Sequence, residues 1–480
     1  MNIKNKYTDF QILLMLSFVE TWERFSFIGM RALLVLYLST HLNFSDHKTY
    51  AIFGIFTAIG YAVPVLAGIL ADKLIGFQKT LIIGSAVMTL GHFFMSFIET
   101  RQEFLYLGLS LIAVGTGFFK GNIHNLLGSI HKDKDSSARD KIFSLFNIAI
   151  NLGGLLAALS CGFVAHNYGW HYGFALAGMG MFIGLCVFLK YRHILGNIGL
   201  PKEKKRLATI KAASTCLIAI IVFIFALYYS EASLSCFSLL GIAFFGLLGR
   251  LLYQSDKNTR TKIISLMIIL LFLVGFASIQ MQLSSLINLF IHRNVDRNIL
   301  EFQIPTAMFQ SVNPLFVIVF GLLFANIFAH FGYKNYLKRF GLGLITNILC
   351  FTIIYLGCLN SNNGQVELIY LIFGIALISF SEICLYPMTK ILFITLSPKG
   401  YKGFMMGFFM FGMSYSNLAS IFIAKYMSIS PKQLENSLDS IEIYKQGFLS
   451  ISIFSSILFL VYLIIYPYLK RVIILKQPSS

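Results

Sequence analysis

Charged side chains are scarce in this chain of 480 residues. Aspartate, glutamate, lysine and arginine make up only 12% of it, whereas hydrophobic residues make up 57%. A soluble domain carries roughly twice that charged fraction. The low charge and the mean hydropathy of +0.76 exclude an ordinary soluble protein. The apolar runs are continuous and about 20 residues or longer, which favours membrane-spanning helices over a β-barrel.

Motifs for enzymatic chemistry are missing as well. The seven cysteines stand singly, with no CxxC pair, and we expect them to be small apolar fillers. The sequence also lacks an HExxH zinc motif and a GxxxxGK[ST] phosphate loop. We therefore expect neither an enzyme nor a primary pump, and no cofactor or metal. An intramembrane transferase is kept as a remote alternative.

The basic residues do not form a nucleic-acid-binding patch, although the formal net charge is +18. They gather in alternate loops near residues 132–141, 202–206, 257–262 and 334–339. By the positive-inside rule this pattern places both termini in the cytoplasm, which requires an even number of spans. We predict about fourteen of them from the apolar runs. They fall near 10–39, 49–71, 78–98, 104–129, 141–166, 171–190, 208–230, 233–254, 262–291, 302–331, 339–359, 366–396, 402–427 and 446–470.

Four ionisable residues interrupt the first apolar span, where lipid tolerates almost none. They are Glu20, Glu23, Arg24 and Arg31. A charge at the bilayer centre costs roughly 2.5 to 3.5 kcal/mol on insertion scales. Helical spacing places all four on one face, so we expect this stripe to face a polar cavity inside a helix bundle. A static ion network that holds the first span in place is the alternative interpretation.

A few polar residues inside other spans complete the candidate set. Lys120 lies in the middle of the fourth span, and Glu382 comes five residues before Pro387, where a helix can bend or unwind. The uncharged candidates are Tyr61, Asn151 and Asn313. Each of these three could instead form an ordinary helix–helix hydrogen bond worth roughly 0.6 kcal/mol.

Short motifs extend over nearly the whole chain. Residues 20–25 read ETWERF and match the pattern ExxERF, and residues 68–79 read GILADKLIGFQK and match a GxLaDrxGrk loop. Further matching stretches lie at 61–64, 115–120, 143–153 and 311–314, and Glu382 together with Pro387 also matches. In these motifs the chain resembles the proton-dependent oligopeptide transporters, the POT family of the major facilitator superfamily. The resemblance implies an all-α integral membrane protein with two six-helix bundles, 1–192 and 261–480, and an inserted two-helix hairpin at 193–260.

The resemblance also implies a function. It implies a proton-coupled symporter that imports di- and tripeptides by alternating access, driven by the proton gradient without a cofactor. Glu20, Glu23 and Arg24 would then form the proton-coupling cluster. We expect a monomer in a bacterial inner membrane, with no nucleic-acid partner. The same fold carrying an amino acid, a modified peptide or another small polar metabolite remains an alternative.

Substrate contacts follow from the same resemblance. Arg31 and Lys120 would attract the carboxylate of the peptide, and Glu382 its amino terminus. The hydrogen-bonding residues would be Tyr61, Asn151 and Asn313. A zwitterion needs one cationic and one anionic pole, and a site that contacts only termini and backbone tolerates many side chains.

One substrate-binding candidate departs from the family pattern. Gln280 stands where the family has an acidic residue that would pair with Arg31. Its amide can accept a hydrogen bond, but it cannot titrate or neutralise the arginine. We therefore predict an altered coupling route, with fewer protons per cycle or a more anionic substrate.

Overall fold

The structure of the chain is a computed structural model built almost entirely from helices. It describes residues 9–97, 103–130, 136–201, 206–299, 301–330, 336–398, 402–434 and 436–474. Three of the four basic loops that carry the topology prediction lie partly outside these residues. The first seven helices are α1 (Asp9–Leu36), α2 (Asp46–Leu70), α3 (Phe77–Ser96), α4 (Phe104–Ile130), α5 (Ser136–Tyr168), α6 (Trp170–Tyr191) and α7 (Arg206–Tyr228).

The second half of the chain is also helical, with one short two-stranded ribbon. Its helices are α8 (Ser230–Gln254), α9 (Lys257–Gln280), α10 (Leu286–Asn294), α11 (Val312–His330), α12 (Tyr336–Leu359), α13 (Leu368–Leu396), α14 (Lys402–Tyr426), α15 (Pro431–Leu434) and α16 (Ser437–Ile474). The ribbon pairs β1 (Asn298–Ile299) with β2 (Phe302–Gln303) in antiparallel register.

Fourteen of the helices described have 19 residues or more, and they follow the predicted order. Eleven helices in the described part are long and apolar enough to cross a membrane. The first helix, α1, is not among them, because its charged residues lower its hydropathy. The predicted all-α membrane fold is therefore confirmed, with a helix count close to the expected one.

Two predicted spans differ from the helices observed. The span predicted over 262–291 contains both α9 and α10, which are joined by a 3-10 turn at Met281–Ser284. The span predicted over 302–331 begins later, at Val312, because β2 and a second 3-10 turn at Thr306–Ser311 come first. Pro305 precedes that turn, and a proline lacks the backbone N–H that a helix interior requires.

Two compact units make up the chain. The first contains Met1–Leu42, Ile55–Ser230 and Pro305–Pro314, and the second contains Asn43–Gly54, Glu231–Ile304 and Leu315–Ser480. Most of α2 therefore belongs to the first unit, while its first turns belong to the second. In the same way, α7 of the predicted hairpin belongs to the first unit and nearly all of α8 to the second.

Within the first unit, glycines allow α3 and α4 to pack at close range. A Cβ on Gly84 would lie 2.7 Å from the carbonyl oxygen of Gly115. One on Gly91 would lie 2.8 Å from the carbonyl oxygen of Gly108. Small residues at such spacing let two membrane helices approach backbone to backbone, and van der Waals contact then holds them together.

The first helix is held against α5 by a similar close contact. Thr21 Oγ1 donates to the carbonyl oxygen of Ala149 on α5 at 3.2 Å. A Cβ on Gly153 would overlap the carbonyl oxygen of Thr21. This glycine therefore sets the distance between α5 and the charged face of α1.

Replacing Gly153 with alanine is expected to destabilise the first unit and to displace Arg24. The added Cβ would overlap the Thr21 carbonyl oxygen and lie 3.0 Å from the Arg24 Cβ. Overpacking of this kind costs about 1–3 kcal/mol. We expect a lower melting temperature in detergent and a loss of proton-driven uptake in proteoliposomes.

Gly321 on α11 supplies the matched control. Among the described residues, no heavy atom outside the adjoining backbone of α11 lies within 4 Å of the position that its Cβ would occupy. Alanine favours a helix interior over glycine by roughly 0.5–1 kcal/mol, so Gly321→Ala should leave the melting temperature unchanged or slightly higher. A Gly153→Ala protein that melts like this control would contradict the packing argument.

In the second unit, α9 packs on α13, α14 and α16, and α12 packs on α13 and α16. Polar side chains join α12 to α16 at two levels. Asn347 Nδ2 donates to Ser455 Oγ at 3.1 Å, and the hydroxyls of Thr352 and Ser452 lie 2.7 Å apart. Hydrogen bonds between membrane helices fix the register of the helices that make them.

A buried ion pair joins the start of α2 to α10 in the same unit. Arg293 donates to both oxygens of Asp46, at 2.8 and 2.7 Å, and also to the Tyr444 hydroxyl at 3.1 Å. The backbone N–H of Ile429 donates to Asp46 Oδ2 at 3.0 Å. The bidentate geometry and the additional hydrogen bonds compensate the free-energy cost of removing the two charges from water.

Candidate functional site

The charged face of α1 forms a compact ion network. Arg24 Nε lies 3.2 Å from Glu20 Oε1 and also pairs with Glu23 Oε2. Glu20 and Arg24 are four residues apart, a spacing that brings side chains together on a helix. The guanidinium carbon of Arg24 lies 5.6 Å from the centroid of the Phe27 ring, within cation–π range. Two carboxylates therefore share one guanidinium.

Protein encloses this network. Glu20, Glu23 and Arg24 are only 1%, 0% and 6% exposed. The sequence predicts that these side chains face a polar cavity, but at these three positions they are buried instead. Ion pairing compensates part of their charge and so permits this burial. Within the described residues, Glu20 Oε2 and Glu23 Oε1 have no hydrogen-bond partner. A buried polar atom without a partner costs about 1–3 kcal/mol, and more when it is charged.

Lys120 and Tyr61 lie beside the network. The Nζ atom of Lys120 is 4.0 Å from the centroid of the Tyr61 ring. Gly117 lets α4 approach α2 closely, since a Cβ there would overlap the Val63 side chain. The positively charged ammonium group of Lys120 interacts electrostatically with both the Tyr61 side chain and the Glu20 carboxylate. The ammonium group is therefore coupled electrostatically to the Glu20 carboxylate of α1.

Arg31 and Asn151 occupy less enclosed positions in the first unit. Arg31 is half-buried, and its guanidinium group interacts electrostatically with the Tyr61 side chain. Asn151 is also half-buried, and its amide donates to the carbonyl oxygen of Asn147 at 2.9 Å. Of the four charged residues within the span predicted over 10–39, only Arg31 keeps substantial exposure.

Asn313 also lies in the first unit, although its sequence position falls within the predicted second bundle. It belongs to the segment Pro305–Pro314, which the structure groups with the first unit. A Cβ on Gly154 would lie 3.3 Å from Pro314 Cγ, so the first turn of α11 runs beside α5. Local sequence does not predict this placement.

A second buried pair in the first unit is missed by sequence reasoning. Ser26 Oγ and His92 Nε2 lie 2.6 Å apart, and both residues are fully buried. The bond joins α1 to α3 close to the ion network. The only sequence signal is a lone histidine in the otherwise apolar span predicted over 78–98.

In the second unit, Gln280 and Glu382 are direct partners. Gln280 Nε2 donates to Glu382 Oε2 at 2.8 Å. The Tyr386 hydroxyl donates to Gln280 Oε1 at 2.5 Å. Sequence reasoning selects the first two residues but misses Tyr386. The available signal is its position four residues after Glu382, on the same helical face.

Backbone irregularities flank this contact. α9 ends at Gln280 and a 3-10 turn follows. In α13, Pro387 cannot donate to the carbonyl oxygen four residues earlier, which is that of Ile383. Arg339 Nη2 donates to this oxygen instead, at 2.5 Å. Membrane helices tolerate a proline where a neighbouring helix satisfies the freed backbone group in this way.

The predicted site residues thus fall into two groups, one in each unit. The first unit holds Glu20, Glu23, Arg24, Arg31, Tyr61, Lys120, Asn151 and Asn313. The second holds Gln280 and Glu382. Proton coupling and substrate binding by these residues stay predictions.

Comparison with known sequences gives consistent matches. The model of the POT family matches residues 78–439. Dipeptide and tripeptide permease A of Proteus mirabilis is 28% identical over 459 residues, which cover 94% of this chain and 93% of the permease. Dipeptide and tripeptide permease B of Photorhabdus asymbiotica is 27% identical over 482 residues, which cover 97% of this chain and 96% of the permease.

Solved structures match over the same extent. A peptide transporter POT in complex with sulfate is 28% identical, with a TM-score of 0.84 and coverage of 96% of this chain and 95% of that one. A bacterial homologue of the human drug peptide transporters has a TM-score of 0.87 at 22% identity, covering 97% and 100%. A transporter crystallised as a tetramer has a TM-score of 0.86 at 23% identity, covering 97% and 100%. These matches confirm the predicted fold.

Proposed function

Because the chain belongs to the POT family, we propose that it is a proton-coupled symporter that imports di- and tripeptides by alternating access. The permeases that it resembles are named for dipeptides and tripeptides, which supports this substrate class. The observation that carries the proposal is the enclosed network of Glu20, Glu23 and Arg24 beside Lys120. A static helix contact would not require two carboxylates and two cations within a membrane span.

Glu20 and Glu23 are proposed to hold the transported proton. Two carboxylates compete for Arg24, and one oxygen of each has no hydrogen-bond partner within the described residues. Protonating one of them removes a like charge from the pair and leaves the other bound to Arg24. The network therefore offers two charge states that bias the conformation of α1 differently.

The peptide is proposed to bind through its two charged ends. Lys120 and Arg31 supply the cationic pole for the carboxylate, and Glu382 supplies the anionic pole for the ammonium group. Charge-assisted hydrogen bonds of this kind are roughly twice as strong as neutral ones. The groups proposed to bind the peptide backbone are Tyr61, Asn151 and Asn313. Gln280 contributes a polar group that does not titrate.

The orientation in the membrane and the oligomeric state are also proposals. Since the basic loops alternate with loops poor in lysine and arginine, we propose that both termini are cytoplasmic and that the bacterial inner membrane holds the protein. We also propose a monomer as the transport unit. Cross-linking in proteoliposomes tests the monomer.

Ligand-dependent melting of the detergent-solubilised protein tests the substrate class. We expect dipeptides and tripeptides to raise the melting temperature and free amino acids to leave it unchanged. A ligand at about one hundred times its Kd stabilises the folded state by roughly 2.7 kcal/mol. A dipeptide with a blocked amino terminus and a blocked carboxyl terminus is the matched control.

The second candidate cargo is an amino acid, a modified peptide or another small polar metabolite. Gln280 is the residue that supports it. Its neutral side chain next to Glu382 leaves fewer acidic groups at the site and so favours a more anionic cargo. Stabilisation by an amino acid or another small polar metabolite, but by no peptide, would support that alternative and contradict the proposed one.

A further inference from the structure

Three side chains in the second unit form a continuous relay. It runs from the Tyr386 hydroxyl to the Gln280 carbonyl oxygen at 2.5 Å, and from the Gln280 amide nitrogen to Glu382 Oε2 at 2.8 Å. Gln280 is only 9% exposed. The Phe276 ring packs edge-on against the Tyr386 ring, with centroids 5.7 Å apart. The relay is therefore held by packing as well as by hydrogen bonds.

The donors and acceptors on the three side chains fix the direction of the hydrogen bonds in the relay. A carboxylate only accepts hydrogen bonds, so the Gln280 side chain must present its NH₂ group to Glu382. Its carbonyl oxygen then faces Tyr386, whose hydroxyl donates. Turning the amide over would place two oxygens against each other. The tyrosine hydroxyl therefore adds a second hydrogen bond that reinforces the amide orientation set by Glu382 and fixes the Gln280 side chain at its other end.

The backbone beneath the relay is also fixed. Glu382 and Tyr386 lie one turn apart on α13, directly before Pro387. Arg339 Nη2 bonds the Ile383 carbonyl oxygen that the proline leaves without its helical donor. The helical turn that carries both ends of the relay is thus tied to α12.

We infer that Tyr386 and Gln280 are positioning residues that hold the Glu382 carboxylate in one orientation for the ammonium group of the peptide, an inference that rests on the proposed function. Tyr386 acts through Gln280 and does not need to touch the peptide. A carboxylate held in one orientation loses less conformational freedom when an ammonium group binds, so affinity rises without a new contact. The relay would therefore set how strongly the transporter prefers peptides with a free amino terminus.

Tyr386→Phe tests this role, with Tyr370→Phe as the matched control on the same helix. Tyr370 accepts a bond from Asn360 at 2.9 Å and lies outside the relay. We expect Tyr386→Phe to raise the KM for dialanine about 10-fold, the effect of roughly one hydrogen bond, with little change in maximal rate. The affinity for N-acetyl-dialanine should not change. Tyr370→Phe should behave like the native protein towards both ligands.

A double-mutant cycle tests whether Tyr386 acts through Gln280. If it does, Gln280→Met should give the same loss, and Tyr386→Phe combined with Gln280→Met should be no worse than either alone. Additive losses, or an equal loss for the acetylated peptide, would overturn the relay. If Tyr386→Phe does not fold in detergent, the same comparison of the two ligands with Gln280→Met decides the question.

The proposed binding of the ammonium group by Glu382 can be tested separately from the relay. A Glu382→Gln protein that binds dialanine like the native protein would contradict the proposed function at this residue. A Glu382→Gln protein that loses dialanine affinity, together with an unaffected Tyr386→Phe protein, would reject only the relay.

Discussion

Replacing Glu23 with glutamine is expected to abolish proton-driven accumulation of peptide while peptide counterflow persists. Glutamine keeps the shape of the side chain but cannot bind and release a proton at this site. Glu23 is fully buried and pairs with Arg24, so its charge state determines how Arg24 is held. Accumulation in proteoliposomes with an imposed pH gradient should fall to the level seen without a gradient.

The fold is expected to survive this change. In the Glu23→Gln protein, Arg24 keeps Glu20 as a partner, at 3.2 Å, so no buried charge is left alone. Removing Arg24 instead would leave two carboxylates unpaired, a loss of the kind that costs about 3–5 kcal/mol. Glu103 is exposed, and Glu103→Gln is the control for loss of a carboxylate elsewhere. Retained accumulation by Glu23→Gln would show that the network is static.

The sequence predicts the first-unit network well, because local spacing determines it. Glu20, Glu23 and Arg24 lie within one turn and a half of a single helix, so their meeting requires no tertiary information. Their burial is different. The exposure of a helical face depends on the neighbouring helices, and the position of α5 is set by the contact between Gly153 and Thr21. The sequence therefore predicts the members of the network but not its enclosure.

The second-unit contact is harder to predict, because it joins residues far apart in the chain. Gln280 and Glu382 are separated by 102 positions, and resemblance alone suggests that both face the substrate. Tyr386 carries no family motif. The partner of the Ile383 carbonyl oxygen, Arg339, looks like an ordinary cytoplasmic loop charge in the sequence. Contacts at a helix break or a proline depend on the positions of the neighbouring helices, so local sequence does not predict them.

Replacing Gln280 with glutamate is expected to make peptide uptake more steeply dependent on pH. In the native chain the Gln280 amide donates to Glu382 at 2.8 Å. A glutamate at position 280 would bring two carboxylates to hydrogen-bond distance, and such a pair shares one proton and titrates as a unit. Acid conditions keep this proton bound. As pH rises and the proton leaves, the two negative charges repel and the Glu382 side chain is displaced from its native orientation.

Peptide uptake in proteoliposomes, measured from about pH 6 to about pH 8, distinguishes this effect from simple damage. The matched control exchanges the two groups, in a protein that carries Gln280→Glu together with Glu382→Gln. This exchange restores one amide and one carboxylate, so the shape of the native pH dependence should return if the paired carboxylates are the cause, although total uptake falls because the Glu382 carboxylate is lost. An unchanged pH dependence in Gln280→Glu alone would mean that position 280 has no part in proton coupling. The altered coupling route predicted from this glutamine would then be wrong.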